Sequence, residues 1–346
     1  MGQMGFFDVD RRLKDISAKG DPLEILSHTV PWESFRADLE GALRKAPEER
    51  KSKAGRKPWD AVLIFKALML QTLYNLADEQ VEIQIRDRFS FMRFLGLGLE
   101  DAVPDGTTLW LYRERLAKAG LIEKLFARFS QTLEAKGYIA RGGQIIDATI
   151  VPVPKQRNSR EENEAIKEGQ TPEDWEKKPA KNRQKDKDAR WTKKHGLSFY
   201  GYKNHVNADA KHKLIRKWAA TDASPHDSQE FEGLLDKANT SSDVWADSAY
   251  RSAEIERKLK DKGFKSRIHT RGRRGTPLSE AQQKANTTRS KVRVRIEHIF
   301  GDQENGMGGK IVRTIGIVRA RVKIGLMNLV YNMRRLAVLE RMAAAA

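Results

Sequence analysis

The amino-acid sequence predicts a mixed α/β protein, with a helical module first and a mixed sheet flanked by helices after it. Three observations carry this. Residues 58–137 hold four stretches whose apolar residues recur at helical spacing, separated by turn signals. The pattern changes at Gly142, after which short β-branched runs begin with Gln144–Val151, QIIDATIV. From there the chain runs strand, hairpin, helix, strand, helix, strand, helix, the order of a sheet covered by helices.

Composition narrows the chemistry. The chain has 346 residues, enough for two cores, and no cysteine, which excludes disulfides and thiolate metal sites. Its amino terminus has no apolar run of signal-peptide length, and no run approaches the roughly 20 residues of a membrane span. A soluble, cytoplasmic protein is the expectation. The net charge of +18 attracts polyanions, and nucleic acid is favoured over membrane surfaces or ribosomal RNA because helical and aromatic segments accompany the charge.

In chain order, residues 1–57 read as a weakly patterned arm. Within it Trp32–Leu43 sets Phe35, Leu39 and Leu43 on one side of a helix, and Lys45–Lys57 is a charged linker. Pro58 suits a first helical position, and Trp59–Leu76 is apolar round most of its circumference, as in the central helix of a bundle. Asp78 is placed to cap a helix running through Phe94, which Leu95–Gly98 ends. Thr107 or Thr108 caps Leu109–Ala119, and Ile122–Lys136 follows. Arg113, Arg115 and Lys118 lie beside Trp110 and Tyr112 on the third of these helices. Two readings fit it equally: a helix-turn-helix recognition element, or a bundle helix with a solvated charged face.

In the second half, Pro152–Pro154 ends the first strand, and Lys155–Lys194 is so charged and so poor in apolar residues that it reads as a long flexible loop. Phe199–Ala208 and Leu214–Thr221 form a hairpin, Ser228–Ala238 a short helix and Val244–Ala246 a strand. Ser252–Lys262 is a helix and Ser266–His269 a last strand, before the basic turn Arg271–Gly275. A final helix, Val318–Leu339, pairs an apolar side with a basic one.

Three carboxylates stand out. Asp147 lies inside the first strand, where an ionised group is costly unless a cation neutralises it or solvent reaches it; a structural carboxylate bonded to backbone is the competing reading. Asp247 follows Val244–Ala246, at the strand end where ligand sites of mixed sheets gather. Glu297 sits in KVRVRIEHIFG, 291–301, on a helix whose Val292, Ile296, Ile299 and Phe300 form a buried stripe. Arg289, Arg293 and Glu297 run along its border at i,i+4 spacing. Together these oxygens suit magnesium: Asp147 would bridge two ions, with Asp247 and Glu297 each holding one, for phosphodiester chemistry. The scattered His195, His205 and His212 lack metal-site spacing, and NGMGG, 305–309, lacks a phosphate-loop pattern.

With these residues in place, the chain resembles insertion-sequence transposases of the IS5 group, within the IS4-like DDE transposases. VPDGTTLWLYRERL (103–116), IIDATIV (145–151), HGLSFYGYKNHV (195–206), WADSAY (245–250) and RVRIEHIFG (293–301) carry the resemblance. It implies an arm at 1–57, a helical DNA-binding domain at 58–140 and a ribonuclease-H-like catalytic domain at 141–346 with an insertion at 155–195. Asp147, Asp247 and Glu297 become the DDE triad, served by two Mg²⁺ ions for which Mn²⁺ substitutes. Arg293, Arg113, Arg115 and Lys203 become expected DNA contacts. The implied partners are double-stranded DNA, at element ends and target, and a second copy or more in a synaptic complex. The implied setting is a bacterial cytoplasm, at the nucleoid, with no membrane. Arg293 fits the arginine of the family's glutamate signature. The signature's tyrosine falls on Ser290 and its lysine on Glu304, with Lys310 the nearest downstream lysine. A catalytically silent DNA-binding regulator and a ribonuclease-H-like nuclease with other substrates are the alternatives.

Overall fold

A computed structural model describes residues 7–43, 57–194, 196–272 and 275–346. Most of the 45–57 linker, His195 and part of the 271–275 turn lie outside the described residues. The chain forms two compact units: Met1–Tyr138 with 305–308 and 325–346, and Ile139–Glu304 with 309–324.

The first unit is helical. Helices α1 (Asp8–Ala18), α2 (Pro22–Thr29) and α3 (Arg36–Leu43) precede α4 (Ala61–Leu73), α5 (Asp78–Asp87), α6 (Phe89–Leu95), α7 (Gly106–Lys118) and α8 (Leu121–Ala135). The described part of the arm is therefore helical, and its Trp32, Phe35 and Leu39 are buried beside Phe65 and Phe129. Helix α4 is buried almost all round, as its composition predicts, and starts at Ala61 because the Asp60 carboxylate accepts from Leu63 N at 2.9 Å. Two expected caps move. Asp78 is the first residue of α5, not its cap, and its carboxylate is drawn to Arg113 instead. The cap of α7 is Asp105, which accepts from Thr108 N at 2.6 Å. The predicted helix from Asp78 to Phe94 is broken at Arg88, whose extended backbone separates α5 from α6.

The second unit is a six-stranded sheet: β1 (Gln144–Pro152), β2 (Arg190–Lys194), β3 (Leu197–Asp209), β4 (Ile215–Asp222), β5 (Asp243–Trp245) and β6 (Lys265–Ser266). Strand β3 runs antiparallel to β1 on one edge. Its other edge is shared end to end, by β2 over Leu197–Gly201 and by β4 over Tyr202–Ala208. Strands β5 and β6 run parallel on the far side of β1. With β2 set aside, the order β4-β3-β1-β5-β6 is an antiparallel meander followed by two parallel strands, the ribonuclease-H-like arrangement the resemblance implied. One face buries Ile146, Val244 and Ala246 against Phe231, Ile255 and Leu259; the other buries Val151 and Tyr202 against Val312, Ala320 and Ile324.

Gly143 makes the central pairing possible. Its φ is +89°, and a Cβ there would lie 2.3 Å from the Trp245 ring and 2.8 Å from Asp243 O. Only glycine lets β1 enter so close to β5. Next to it, the fully buried Gln144 accepts from Asn207 Nδ2 and Asp236 N, which ties β1 to β3 and to the segment before β5.

Residues 155–194 are not a flexible loop. They hold three short helices, α9 (Arg160–Lys167), α10 (Glu173–Glu176) and α11 (Pro179–Arg183), and then β2. A single aromatic organises them. Trp175 is fully buried, its indole N–H donates to Glu162 Oε1 at 2.6 Å, and Lys181 and Lys185 lie over its ring at 5.5 Å. The buried Asp186 then fastens the segment to β3, accepting from the Tyr202 hydroxyl at 2.7 Å. Between β4 and β5, the predicted helix Ser228–Ala238 shrinks to a 3₁₀ turn and the one-turn α12 (Phe231–Leu234). Helices α13 (Ala253–Asp261), α14 (Glu280–Gly301) and α15 (Ile317–Ala344) complete the chain.

Because Trp175 is the hub of the insertion, Trp175→Ala is expected to cost about 3–5 kcal/mol locally. Under limited trypsin digestion the wild-type insertion is expected to resist, and the variant to be cut first between Lys177 and Lys187. Equal cutting of both would remove Trp175 from that role.

Candidate active site

Asp147 and Asp247 are brought together by strand register. β1 pairs with β5 in parallel, Gln144 with Val244 and Ile145 with Trp245. Carried on by two residues, that register sets the aspartates level, at the carboxyl end of β5 and on one face of the sheet. Asp247 caps a 3₁₀ turn, Ser248–Tyr250, by accepting from Ala249 N at 2.8 Å. Asp147 is 15% exposed and accepts from Ala148 N at 2.8 Å. Burial pushes its pKa up to about 6, against the lowering effect of that N–H and of Arg293, while the charge of Asp247 raises it further.

Glu297 arrives on α14, whose Ile296 and Ile299 are buried, as the predicted stripe requires. Its side chain is 54% exposed, and it meets Asp147 through Arg293. The Arg293 guanidinium donates to Asp147 Oδ2 at 2.9 Å and to Glu297 Oε1 at 3.0 Å. A cation thus lies between two of the three predicted carboxylates. Among the described residues no three acidic or histidine side chains stand together as a ready-made metal cage. Asp147 and Glu297 share the Arg293 guanidinium, and carboxylate oxygens are the hard ligands that a divalent cation takes.

Lys310 misses the signature's offset, yet it reaches the same strand face. Its ammonium donates to Thr149 Oγ1 at 3.0 Å and pairs with Glu304 Oε2 at 3.0 Å. Thr149 is two residues beyond Asp147 and therefore on the same side of β1. The π-helical turn Asp302–Gly306 and the irregular residues after it lie between Glu297 and Lys310, so the two do not share one regular helix.

Two expected DNA contacts are corrected. Arg113 is 14% exposed and committed to Asp78, with Nη1 at 2.5 Å and Nη2 at 2.8 Å from its oxygens. Such a bidentate pair across α5 and α7 is a packing device. Lys203 lies an odd number of residues from Val206, the partner of Asp147, and so faces the other side of the sheet. There it is buried, paired with Asp227 at 2.8 Å and bonded to Pro225 O. Arg115 is half-buried over the Tyr112 ring at 5.4 Å. His205 also faces that other side, fully buried, and burial pushes its pKa down to about 4. His212 stands 3.4 Å from Asp209.

Comparison with known families identifies the chain's family. Residues 140–333 match the family model described as Transposase DDE domain, and residues 11–115 match Transposase domain (DUF772). The chain belongs to the DDE-domain transposases. The second match begins inside α1, so the helices of the arm fall within a transposase domain. Members of the DDE family generally use divalent metal ions to cleave and join phosphodiesters, and DNA transposition is this chain's activity. The cryo-EM structure of a piggyBac transposase synaptic complex with hairpin DNA aligns at 10% identity, over 94% of this chain and 76% of that one, with a TM-score of 0.49. No helix among the described residues is long and apolar enough to cross a membrane.

The raised pKa of Asp147 has a stability consequence. A carboxyl pKa lifted from 3.8 to about 6 means the folded chain prefers the protonated group, so stability present at low pH is lost as pH rises through 6. Removing the charge should recover roughly 2–3 kcal/mol at neutral pH. In EDTA, Asp147→Asn is expected to melt higher than wild type above pH 6, with the gain fading below about pH 4. A lower melting temperature at pH 8 would contradict this.

Proposed function

We propose that Asp147, Asp247 and Glu297 are the acidic triad of this transposase, which binds the inverted repeats of its element, cleaves there and joins the ends to target DNA. The observation that carries the reading is the β1–β5 register, which sets two aspartates level beside a helix whose glutamate is tied to one of them through Arg293. Mg²⁺ held by these carboxylates, with Mn²⁺ as a substitute, would supply Lewis-acid stabilisation of the attacked phosphate and an acidified water or 3′ hydroxyl.

The chain's own groups do the rest. Arg293 bridges Asp147 and Glu297, and its guanidinium suits a reacting phosphate. Lys310 supports it from the Thr149 side of the strand. Arg115 is proposed as a DNA contact of the helical unit. Synapsis of two element ends calls for at least a homodimer, working on chromosomal DNA at the nucleoid.

The test is Asp247→Asn. Asparagine still caps the Ser248–Tyr250 turn, so the fold should survive. The variant is expected to bind the inverted repeats within about twofold of wild type and to lose strand cleavage in Mg²⁺ and Mn²⁺ by 10³-fold or more, an order-of-magnitude expectation for loss of a metal-ligating group. Unchanged cleavage would sink the triad assignment. Wild-type protein that binds those ends and cleaves with neither metal would be a silent regulator.

A further inference from the structure

On the segment that pairs with the strand leading to Asp247, two arginines converge where one would suffice. Arg251 Nη1 donates to Ile268 O at 2.9 Å and to Thr270 Oγ1 at 3.1 Å. Arg289, from α14, donates from its own Nη1 to the same two atoms, at 2.9 and 3.2 Å. Its remaining acceptor is Asn286 Oδ1 at 3.4 Å, so every group that Arg289 bonds is neutral. Arg251 Nε also forms a long ion pair with Glu256 Oε1, at 3.7 Å, while the same oxygen accepts from Ser266 Oγ. Arg267 adds a third cation from the same segment, although Asp243 pairs with it at 2.8 Å. Burial, followed by the charges of Arg251 and Arg267, lowers the pKa of Arg289. Holding one backbone carbonyl does not call for two like charges. They repel each other, and an anion between them would relieve that.

The place matters as much as the charge. His269 N bonds Ala246 O at 3.2 Å, so the segment presenting Ile268 and Thr270 runs alongside the strand end that carries Asp247. Arg289 is one helical turn before Arg293 and on the same row, and Arg293 bridges Asp147 and Glu297. The only polyanion this chain must hold at that position is its DNA, and the planar guanidinium matches a phosphate better than a lone ammonium does. We propose that Arg251 and Arg289 form a two-arginine clamp for a DNA backbone phosphate adjacent to the one that reacts. The assignment rests on the proposed triad only for which phosphate is held, not for the clamp itself.

Arg251→Gln and Arg289→Gln test it, because glutamine keeps a donor for Ile268 O while removing the charge. Binding is read by fluorescence anisotropy on a duplex carrying the inverted repeat that flanks the gene, across a salt series. Each variant is expected to lose roughly tenfold in affinity at low salt and to flatten the log–log salt slope by about 1. Arg289→Lys, which keeps the charge, should restore the slope but not the full affinity. Scanning single methylphosphonates through the duplex then locates the contact. At one phosphate beside the cleavage position, neutralisation should weaken wild-type binding and leave the glutamine variants unaffected. Unchanged affinity and slope in folded variants, or penalties that add at every position, would overturn the clamp. Cleavage retained by Asp247→Asn together with this binding signature would remove the triad and leave the clamp standing, so the two failures are distinguishable.

Discussion

One cost shapes the catalytic unit: an ionised carboxylate on the central strand of a sheet. β1 is paired on both edges, and Asp147 is only 15% exposed. Taking a charged carboxylate from water is expensive unless hydrogen bonds and an opposite charge make up the loss. Here the Ala148 N–H and Arg293 do so in part, and burial still wins, leaving the pKa near 6. The compensating charge has to come from a distant element, because the neighbouring positions of β1 and β3 on that face are apolar or neutral. It comes from α14, with Ile296 and Ile299 holding the helix in place by burial. Apolar packing fixes the rotation of α14, and that rotation points Arg293 at Asp147 and carries Glu297 with it. Deleting either the stripe or the salt bridge would free the glutamate from the strand.

Much of this was legible in the sequence because it depends on local chemistry. A β-branched run with one aspartate in it, a short strand followed by another, and an amphipathic helix with glutamate at its border each announce themselves within a dozen residues. What stayed hidden depends on partners far along the chain. Arg113 and Lys203 look like DNA contacts in isolation, but Asp78 lies 35 positions from Arg113 and Asp227 lies on the far side of a hairpin from Lys203. No periodicity reports such pairings. The insertion was missed for a different reason. Its average hydropathy is that of a disordered segment, and averaging dilutes a single aromatic whose indole N–H, ring faces and burial are all used at once. Lys310 reaches the Thr149 side of β1 through the course of the chain after the π-helical turn, which no residue count along a helix reports.

The net charge of +18 is therefore less informative than its distribution. Several basic side chains of the catalytic unit have acidic partners that account for them: Arg216 with the fully buried Asp209, Lys203 with Asp227, Arg267 with Asp243. These pairs hold turns and strand ends, and a polyanion would have to break them to use the cation. Around the triad the pattern reverses. Arg293 has only two carboxylates as partners, both of them the groups assigned to the metal, and Arg251 and Arg289 converge on a neutral carbonyl. Arg289 in particular is held in place by geometry, and every group it bonds is neutral. An uncancelled charge kept rigid at the end of a sheet costs stability in the free chain and returns it only when a phosphate backbone arrives. That asymmetry, more than the total charge, distinguishes the place where Arg289 lies from those where Lys203 and Arg216 are paired.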